Sequence, residues 1–261
     1  RALPAGYIET VTPEFAASDV EHLAALSGPQ DLRLSLHLSR RQRDGEGKLR
    51  LNVYRQLRDI PLSDVLPLME NMGLRVISEH PFRLEVDNAA AYIQEFEVEP
   101  ASGEIDVSSR SAAFEAAFAR IWHGDAEDDG FNQLVLRANL EWRQVALLRA
   151  YCKYLLQTGV PFSQSYVEAT LNRYPLLARL LVELFESRFN PATGQGSKAA
   201  IKQGQAELQQ QLVVLKEKRA ATEADYLAGV RERIGSGASL EAGEISLSGW
   251  VRPAAGPITD N

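Results

Sequence analysis

Hydrophobic and polar residues alternate with a period of two in residues 32–39 and again in residues 49–54. This period predicts two strands that each bury one face, because successive side chains of a strand point to opposite sides. Residues 44–47, Asp-Gly-Glu-Gly, are typical of a turn between them. We therefore expect residues 32–54 to form an antiparallel hairpin whose apolar face lies against a core.

Helices and further strands are predicted on both sides of this hairpin. One helix is expected over residues 13–26, after the N-cap Thr12, and another over residues 63–72, between Ser63 and Gly73. Their apolar faces are Ala16, Val20, Leu23 and Ala24 in the first helix and Val65, Leu66, Met69 and Met72 in the second. Further strands are predicted at residues 7–11, 74–77, 82–86 and 92–98. With residues 7–11 as the first strand, the order strand-helix-strand-strand-helix-strand predicts a ferredoxin-like βαββαβ domain.

The hydrophobic period changes to 3.6 from Ser109 onward, which predicts an all-α bundle of amphipathic helices joined by short loops. Predicted N-caps are Asp128 or Asp129 and Ser163. The residues expected in the bundle core are Phe114, Ala117, Phe118, Ile121, Trp122, Phe131, Leu134, Val135, Ala138, Trp142, Val145, Leu148, Cys152, Leu155, Tyr166, Val167, Thr170, Leu171, Leu177, Leu180, Leu181, Leu184 and Phe185. Trp142 is expected to pack against Phe131 or Leu181, and the alternative is that it is an exposed anchor at an interface. Since each half has its own apolar faces, we expect two separate folding units that meet near residues 100–109.

The rest of the chain has a different character. Residues 191–197 are a predicted linker, and residues 199–234 follow one long helical pattern. Its apolar residues, spaced like a thin coiled-coil seam, are Ile201, Leu208, Leu212, Leu215 and Tyr226. The overall prediction is an α+β chain with a ferredoxin-like, ACT-like domain in residues 1–105 and a helical bundle in residues 106–190. A long helix in residues 191–234 and a flexible or non-native tail in residues 235–261 follow.

The composition excludes several functions. The 261 residues are 45% hydrophobic and 24% charged, as in a soluble globular protein. The net charge of −7 means that no basic field covers the whole surface, so we expect no non-specific binding to nucleic acid or an anionic membrane, and no apolar run approaches the ~20 residues of a membrane helix. The single cysteine, Cys152, excludes an internal disulfide framework and favours the reducing cytoplasm. Because the chain begins with Arg1 rather than Met, we expect it to be part of a longer protein.

The residues most often used in chemistry have structural explanations here. The histidines, His22, His37, His80 and His123, do not have the spacing of metal ligands. His37 is expected to point to solvent, because it alternates with the apolar face of its strand. Cys152 lies on the buried stripe of a helix, so we expect a small core residue rather than a nucleophile.

Three short motifs also have simpler explanations. Residues 194–199 match G-x-G-x-x-A, but a dinucleotide loop follows a strand, whereas residues 177–189 are predicted helix. The acidic residues between positions 125 and 129 lack the spacing of a calcium loop and are expected to cap helices. Arg40, Arg41 and Arg43 are expected at a solvated hairpin tip. The alternative is that they bind an anionic effector. We therefore predict no catalytic, cofactor-binding or metal-binding residue in this chain and assign no effector-binding residue.

Four longer motifs carry a resemblance to a known family. They are LSDVLPLMENMGLRVI at residues 62–77, DGFNQLVL at residues 129–136, WRQVALLRAY at residues 142–151 and LLVELFESRF at residues 180–189. Residues 32–212, which contain these motifs in order, resemble the large NAD-specific glutamate dehydrogenases of bacteria. In that family, ACT-like regulatory domains and helical modules precede the catalytic dehydrogenase domain.

The resemblance implies a function for the parent protein rather than for this chain. The chain would be the last ACT-like domain plus the helical region before the catalytic domain, with no cofactor of its own. The intact cytoplasmic oxidoreductase would use NAD to convert L-glutamate to 2-oxoglutarate and ammonium in amino-acid catabolism. Implied partners are the catalytic domain of the same polypeptide, further copies in a homo-oligomer and an allosteric small-molecule effector. Amino-acid binding is not implied, because residues 10–15, where ACT domains hold amino acids, contain Pro13 and no glycine.

Two other interpretations stay open at this point. The chain could be a free-standing protein-interaction module with no enzymatic parent, or an enzyme with an unrecognised site. A turnover assay on the chain would identify an enzyme. The reading frame after residue 261 would separate a dehydrogenase segment from a free-standing module.

Overall fold

The structure, a computed structural model, describes residues 4–28, 31–38, 49–86, 89–102, 106–189 and 198–234. The turn predicted at residues 44–47, the linker at residues 191–197 and the tail at residues 235–261 lie outside these ranges. The chain divides into two compact units, Arg1–Ser197 and Lys198–Asn261, and each is described by itself.

The first unit combines helices with one antiparallel sheet, which confirms the predicted α+β class. Its elements are α1 (Ala5–Thr10), α2 (Pro13–Ala24), β1 (Arg33–Leu38), β2 (Leu49–Gln56), α3 (Leu62–Asn71), β3 (Leu74–Val86), β4 (Ala89–Pro100), α4 (Val107–Trp122), a 3₁₀ turn (Gly130–Asn132), α5 (Gln133–Ala138), α6 (Trp142–Gln157), α7 (Gln164–Arg173) and α8 (Pro175–Phe189). The second unit contributes α9 (Lys198–Ile234), which confirms the long helix predicted over residues 199–234. No helix in the described part of the chain is long and apolar enough to cross a bilayer.

The first predicted strand is wrong, because residues 7–10 belong to helix α1. Pro4 precedes the helix with an extended backbone, and its carbonyl accepts a hydrogen bond from the Tyr7 N–H at 3.0 Å. The Thr10 hydroxyl donates back to the carbonyl of Gly6 at 2.6 Å. These local bonds close a short helix and override the strand preference of the Tyr-Ile-Glu-Thr-Val segment. The βαββαβ order therefore lacks its first strand.

The sheet has the strand order β1-β2-β4-β3, and each neighbouring pair is antiparallel. The predicted hairpin is confirmed, with Leu36 of β1 opposite Leu51 of β2. The elements from β1 to α4 form two successive strand-strand-helix units. Each helix packs on a strand of the other unit. Helix α4 packs on β1, and α3 packs on β3. Gly73 ends α3 as predicted, with the left-handed backbone angle φ of 85° that favours glycine.

Strand β3 is continuous, but a β-bulge changes which face of the sheet its even-numbered side chains occupy. The predicted strands at residues 74–77 and 82–86 are joined, and the pairing with β4 shifts between Val76 and Ser78. One extra residue in a strand moves every later side chain to the opposite face. Leu74 therefore packs in the core under α3 and α4, whereas Leu84, also at an even position, packs on the other face of the sheet.

One apolar core fills the space between the sheet and the helices from α3 to α8. It includes Leu51 and Phe96 of the sheet, Phe118 of α4, Phe131 of the 3₁₀ turn and Val182 of α8. The expected separation into two folding units is therefore wrong, since residues of both halves form a single buried cluster. The boundaries predicted at residues 105 and 190 stay predictions.

Most of the predicted bundle core is buried, but its outer members are not. Exposed residues among the predicted core are Leu155, Tyr166 and Leu181, and Val20 is exposed on α2. On α8 the buried stripe contains Ala178 and Val182, which the sequence prediction missed. Small and β-branched side chains let the helix approach its neighbours closely, so the buried stripe is rotated away from Leu181.

Trp142 lies at the rim of the core rather than inside it. Its side chain is partly buried and packs against the core cluster. The guanidinium groups of Arg120 and Arg143 lie 5.5 and 5.0 Å from the ring centroid. Cations at this distance are attracted by the indole face. The ring therefore joins apolar packing on one side to charged neighbours on the other.

We predict that Phe118→Ala destabilises the sheet and the helices together. Truncating a fully buried phenylalanine costs about 3–5 kcal/mol, a large part of the ~5–15 kcal/mol that stabilises a typical domain. Thermal unfolding followed by circular dichroism should show one transition at a lower temperature. Leu155→Ala, at a side chain that is 46% exposed, is the control and should change stability by less than about 0.5 kcal/mol. Helices that unfold while the amides of β2 stay protected from exchange would contradict the shared core.

Candidate functional site

The second face of the sheet is polar, and helices α1 and α2 cover it. On β2, Arg50, Asn52 and Tyr54 alternate with the core residues Leu51 and Val53. All three polar side chains are buried. A strand that carries buried polar groups on one face must supply hydrogen-bond partners for them. Those partners come from α2 and β4.

Asp19 of α2 is the centre of this arrangement and is only 3% exposed. Its carboxylate accepts hydrogen bonds from the hydroxyl of Tyr7 at 2.5 Å, the hydroxyl of Tyr54 at 2.6 Å and the amide of Asn52 at 3.2 Å. Burial raises the pKa of Tyr54, and the charge of Asp19 raises it further. The phenol therefore stays protonated and donates to the carboxylate.

A buried ion pair lies beside Asp19 on the same face. Nη1 of Arg50 is 2.7 Å from Oε1 of Glu95, and Nη2 of Arg50 is 3.9 Å from a carboxylate oxygen of Glu97. The strand register makes this possible, because Asn52 lies opposite Glu95 and Arg50 lies opposite Glu97. Removing one partner of such a pair would leave an uncompensated charge in the protein interior.

Two histidines pack in this interface, and the expectation that His37 points to solvent is wrong. His37 is stacked on Phe15 of α2 with ring centroids 4.9 Å apart. His22 is stacked on Tyr54 at 4.8 Å, and its Nδ1 lies 2.8 Å from the carbonyl oxygen of Ser18. The strand period placed His37 correctly on the face opposite Leu36. What it could not show is that α2 covers this face.

A small cavity lies between α2 and the sheet. Its walls are Val11, Phe15, Asp19, His37, Arg50, Asn52 and Glu95. The space has room for about one water molecule. The side-chain oxygen Oδ1 of Asn52 in its wall accepts no hydrogen bond from the described residues. The cavity is therefore polar, closely fitted and suited to solvent rather than to a larger ligand.

The apolar contribution of α1 and α2 is modest. Seven buried residues form the apolar cluster on this side: Tyr7, Leu23, Leu26, Tyr54, Leu84, Ala91 and Ile93. Only Tyr7, Leu23 and Leu26 belong to residues 4–28, the segment that contains α1 and α2. Burying one such side chain contributes about 1.5–3 kcal/mol. Polar contacts therefore contribute a large share of the stability of the contact between these helices and the sheet.

A second polar network lies inside the helical bundle around Arg149 of α6, which is 4% exposed. Its guanidinium donates to both carboxylate oxygens of Asp129, at 2.6 and 2.8 Å, and to the side-chain oxygen of Asn132 at 2.9 Å. The amide of Gln164 reaches Asp129 at 3.3 Å. This bidentate geometry ties α6, α7 and the 3₁₀ turn together.

Within the acidic segment at residues 125–129, the predicted capping role is confirmed for Asp129. Asp129 is the N-cap of the 3₁₀ turn and accepts a hydrogen bond from the N–H of Phe131 at 3.1 Å. The other acidic residues each have a partner of their own. These pairs are Asp125 with Arg120, Glu127 with Lys153, and Asp128 with Asn71.

The remaining candidates do not assemble into a site. His80 and His123 are exposed at separate places, and Cys152 is buried, with a thiol pKa raised chiefly by that burial. The described residues contain no group of histidine, cysteine and acidic side chains that could hold a metal ion. Arg40, Arg41, Arg43 and most of the 194–199 motif lie outside the described residues. The element before that motif is helix α8, as predicted.

The functional residues that the sequence prediction missed are those of the two polar networks. The predicted apolar face of α2 included Val20, which is exposed, and left out its neighbour Asp19, which is buried. Arg50 and Asn52 gave no separate signal, because they follow the regular alternation of a strand with one face in water.

Glu115 shows how α4 protects the edge of the sheet. Its carboxylate accepts a hydrogen bond at 2.9 Å from the N–H of Leu36 on the edge strand β1. Burial raises the pKa of Glu115, and the Leu36 N–H and the charge of His22 oppose this increase. A raised pKa means that the folded state binds the proton more tightly than the unfolded chain. The contribution of Glu115 to stability is thus complete below its ordinary pKa of 4.5 and decreases as the pH rises through its raised value.

We predict that Glu115→Gln makes the chain more stable at pH 7 and leaves its stability unchanged at pH 3.5. Glutamine keeps an oxygen that can accept the Leu36 N–H and cannot ionise. Urea unfolding across this pH range is the measurement. Glu70→Gln, at an exposed carboxylate of α3, is the control and should follow the pH profile of the native chain. A native chain that is more stable than Glu115→Gln at pH 7 would refute the prediction.

We also predict that Arg149→Met destabilises the first unit by about 3–5 kcal/mol, because Asp129 loses its buried partner. Replacing Asp129 by Asn in the same chain should recover part of the loss. The control is Lys153→Met, one turn further along α6. Its partner Glu127 is 2.5 Å away but the pair is exposed, so the expected loss is below about 1 kcal/mol. Equal losses for both arginine and lysine variants, measured by urea unfolding, would argue against a special role of the buried pair.

Comparison with known protein families assigns the modules of this structure. The family model described as "Glutamate dehydrogenase, ACT3 domain" matches residues 32–110, which run from β1 to the start of α4. "Glutamate dehydrogenase, helical motif 3" matches residues 126–191, which contain α5 to α8. "Glutamate dehydrogenase, helical motif 2" matches residues 1–26, which contain α1 and α2. The three matches together cover more than half of the chain.

Individual relatives agree with this assignment. The chain is 44% identical over 191 residues to the NAD-specific glutamate dehydrogenase of Pseudomonas aeruginosa and 42% identical over 196 residues to that of Halomonas elongata. It is 38% identical over 197 residues to the protein of the same name from Mycobacterium tuberculosis. These matches cover 72–75% of the chain but only 12% of each relative. The chain therefore belongs to the family of NAD-specific glutamate dehydrogenases and represents a non-catalytic region, made of the ACT3 domain with helical motifs 2 and 3.

Proposed function

We propose that this chain is a regulatory and scaffolding region of a larger NAD-dependent glutamate dehydrogenase. The intact enzyme transfers a hydride from L-glutamate to NAD and releases 2-oxoglutarate and ammonium. The residues that perform this chemistry lie outside this chain, which binds no cofactor itself. Its role is to hold the catalytic domain of the same polypeptide in position and to transmit changes to it.

The shared apolar core is the observation that carries the proposal. Residues of the ACT3 domain and of helical motif 3 pack in one cluster, from Leu32 of the sheet to Val182 of α8. Closely packed interiors transmit displacement rather than absorb it. Two modules joined in this way move as one body, which is the property that a scaffold needs.

An exposed aromatic face supports the proposed partners. We define it as the exposed side chains of Tyr151 and Tyr154 of α6 and Phe189 of α8, with the half-buried Phe185 of α8. The rings of Tyr151 and Phe185 meet edge to face at 5.9 Å, and those of Phe185 and Phe189 lie 4.8 Å apart. Tyr154 and Phe189 are each 62% exposed. Clustered exposed aromatic side chains are typical of protein interfaces, so this face suits the catalytic domain or another copy in a cytoplasmic homo-oligomer.

We predict that the aromatic face is needed for assembly of the parent enzyme but not for folding of this chain. Tyr154→Ala combined with Phe189→Ala should shift the melting temperature of the 261-residue chain by less than about 2 °C, because exposed side chains contribute little. In the intact dehydrogenase, the same pair should reduce the mass of the assembled particle or lower kcat/KM at least fivefold.

The control for this experiment is Ile77→Ala, at an exposed residue of β3 remote in sequence from the aromatic face. It should leave assembly and turnover of the intact enzyme unchanged. The 261-residue chain alone should show no NAD-dependent oxidation of glutamate. Turnover by the isolated chain, or full assembly and activity of the double variant, would overturn the proposed function.

A further inference from the structure

We infer that the contact between helical motif 2 and the ACT3 sheet is the joint at which this region opens. Helices α1 and α2 separate from the sheet as a unit, whereas the ACT3 domain and helical motif 3 stay together. The opening itself is a property of this chain. Its use in regulation of the dehydrogenase rests on the function proposed above.

The two faces of the sheet differ in what separation would expose. Opening the face under α3 and α4 would expose a continuous apolar core that extends to α8. Opening the face under α2 would expose Arg50, Asn52 and Glu95, which water solvates well, together with a smaller apolar cluster. Interfaces that open and close reversibly are more polar than permanent ones, and the less stable part of a structure opens first. The polar face is therefore the one that opens.

One side chain concentrates the contacts that hold α2 in place. Asp19 receives donors from α1 and from two positions of β2, and all three bonds depend on its carboxylate. Hydrogen bonds weaken steeply as distance and angle depart from their optimum. A small displacement of α2 would thus weaken all three bonds together, and the transition would be cooperative rather than gradual.

The cavity beside Asn52 favours the same transition. It is lined by charged and amide groups from both sides of the contact, and the Asn52 oxygen in its wall has no protein donor among the described residues. Water that enters this space can hydrogen-bond to groups on α2 and on the sheet. The contact can therefore exchange protein hydrogen bonds for water, and the apolar cluster that opening exposes is smaller than the core on the other face of the sheet.

The comparisons provide an independent boundary at the same place. Residues 1–26 match one family module and residues 32–110 match another. The ACT3 domain also meets helical motif 3 at a module boundary, yet that contact is an apolar core. The boundary with motif 2, by contrast, contains buried polar side chains and a small cavity.

The experiment is amide hydrogen exchange of the complete 261-residue chain at increasing urea concentrations below global unfolding. The amides of α2 should exchange at least tenfold faster than those of α4 and α6, and through an opening of their own. Asp19→Asn weakens the three hydrogen bonds that the carboxylate accepts. Amide exchange in α2 should therefore become about tenfold faster, while exchange in α4 and α6 stays unchanged. Glu21→Gln, at an exposed carboxylate of the same helix, is the matched control and should have no effect.

Val65→Ala is the control for the other face of the sheet, because it removes buried volume from the apolar core. It should accelerate exchange in α3, α4 and the sheet together. Equal exchange of α2 and α4 in the native chain would overturn the inference, and so would an Asp19→Asn chain with unchanged exchange in α2. If Asp19→Asn does not fold, the urea series on the native chain decides alone. Since no step measures turnover, this result is separate from the success or failure of the proposed function.

Discussion

The sheet must bury both of its faces, and the rest of the structure follows from how it does so. Alternation along β2 sends Leu51 and Val53 to one side and Asn52 and Tyr54 to the other. The first side is satisfied by apolar helices. The second needs hydrogen-bond partners that are themselves removed from water, and the carboxylate of Asp19 supplies them. A single strand thus specifies two contacts of opposite chemistry.

Sequence patterns were sufficient for the elements that place an apolar face against the main core or that begin or end at a typical capping residue. The hairpin of β1 and β2, the helical half, the end of α3 at Gly73 and the capping by Asp129 and Ser163 were predictable for this reason. The missing first strand was not, because local bonds around Pro4 and Thr10 outweigh residue preference over so short a segment.

The candidate site was less predictable, and the reason is geometric. His37 and Asn52 have the sequence pattern of a solvated face, and only the position of α2 in space converts that face into an interior. The same holds for Arg149, whose partner Asp129 lies 20 residues earlier in the chain. A family resemblance identified the modules but carried no information about which of their contacts are polar. That distinction came from the distances and burial of individual side chains.

The exchange of helices between the two strand-strand-helix units has a consequence for synthesis on the ribosome. Helix α4 covers β1, and the hydrogen bond from Leu36 to Glu115 spans 79 residues. A ribosome that adds about 5–20 residues per second needs several seconds to produce the intervening chain. During that interval the hairpin can form its ladder, but the apolar side of β1 has no partner and its edge is open. Until α4 emerges, the nascent chain therefore exposes an apolar strand face and an open strand edge, which are features that favour aggregation.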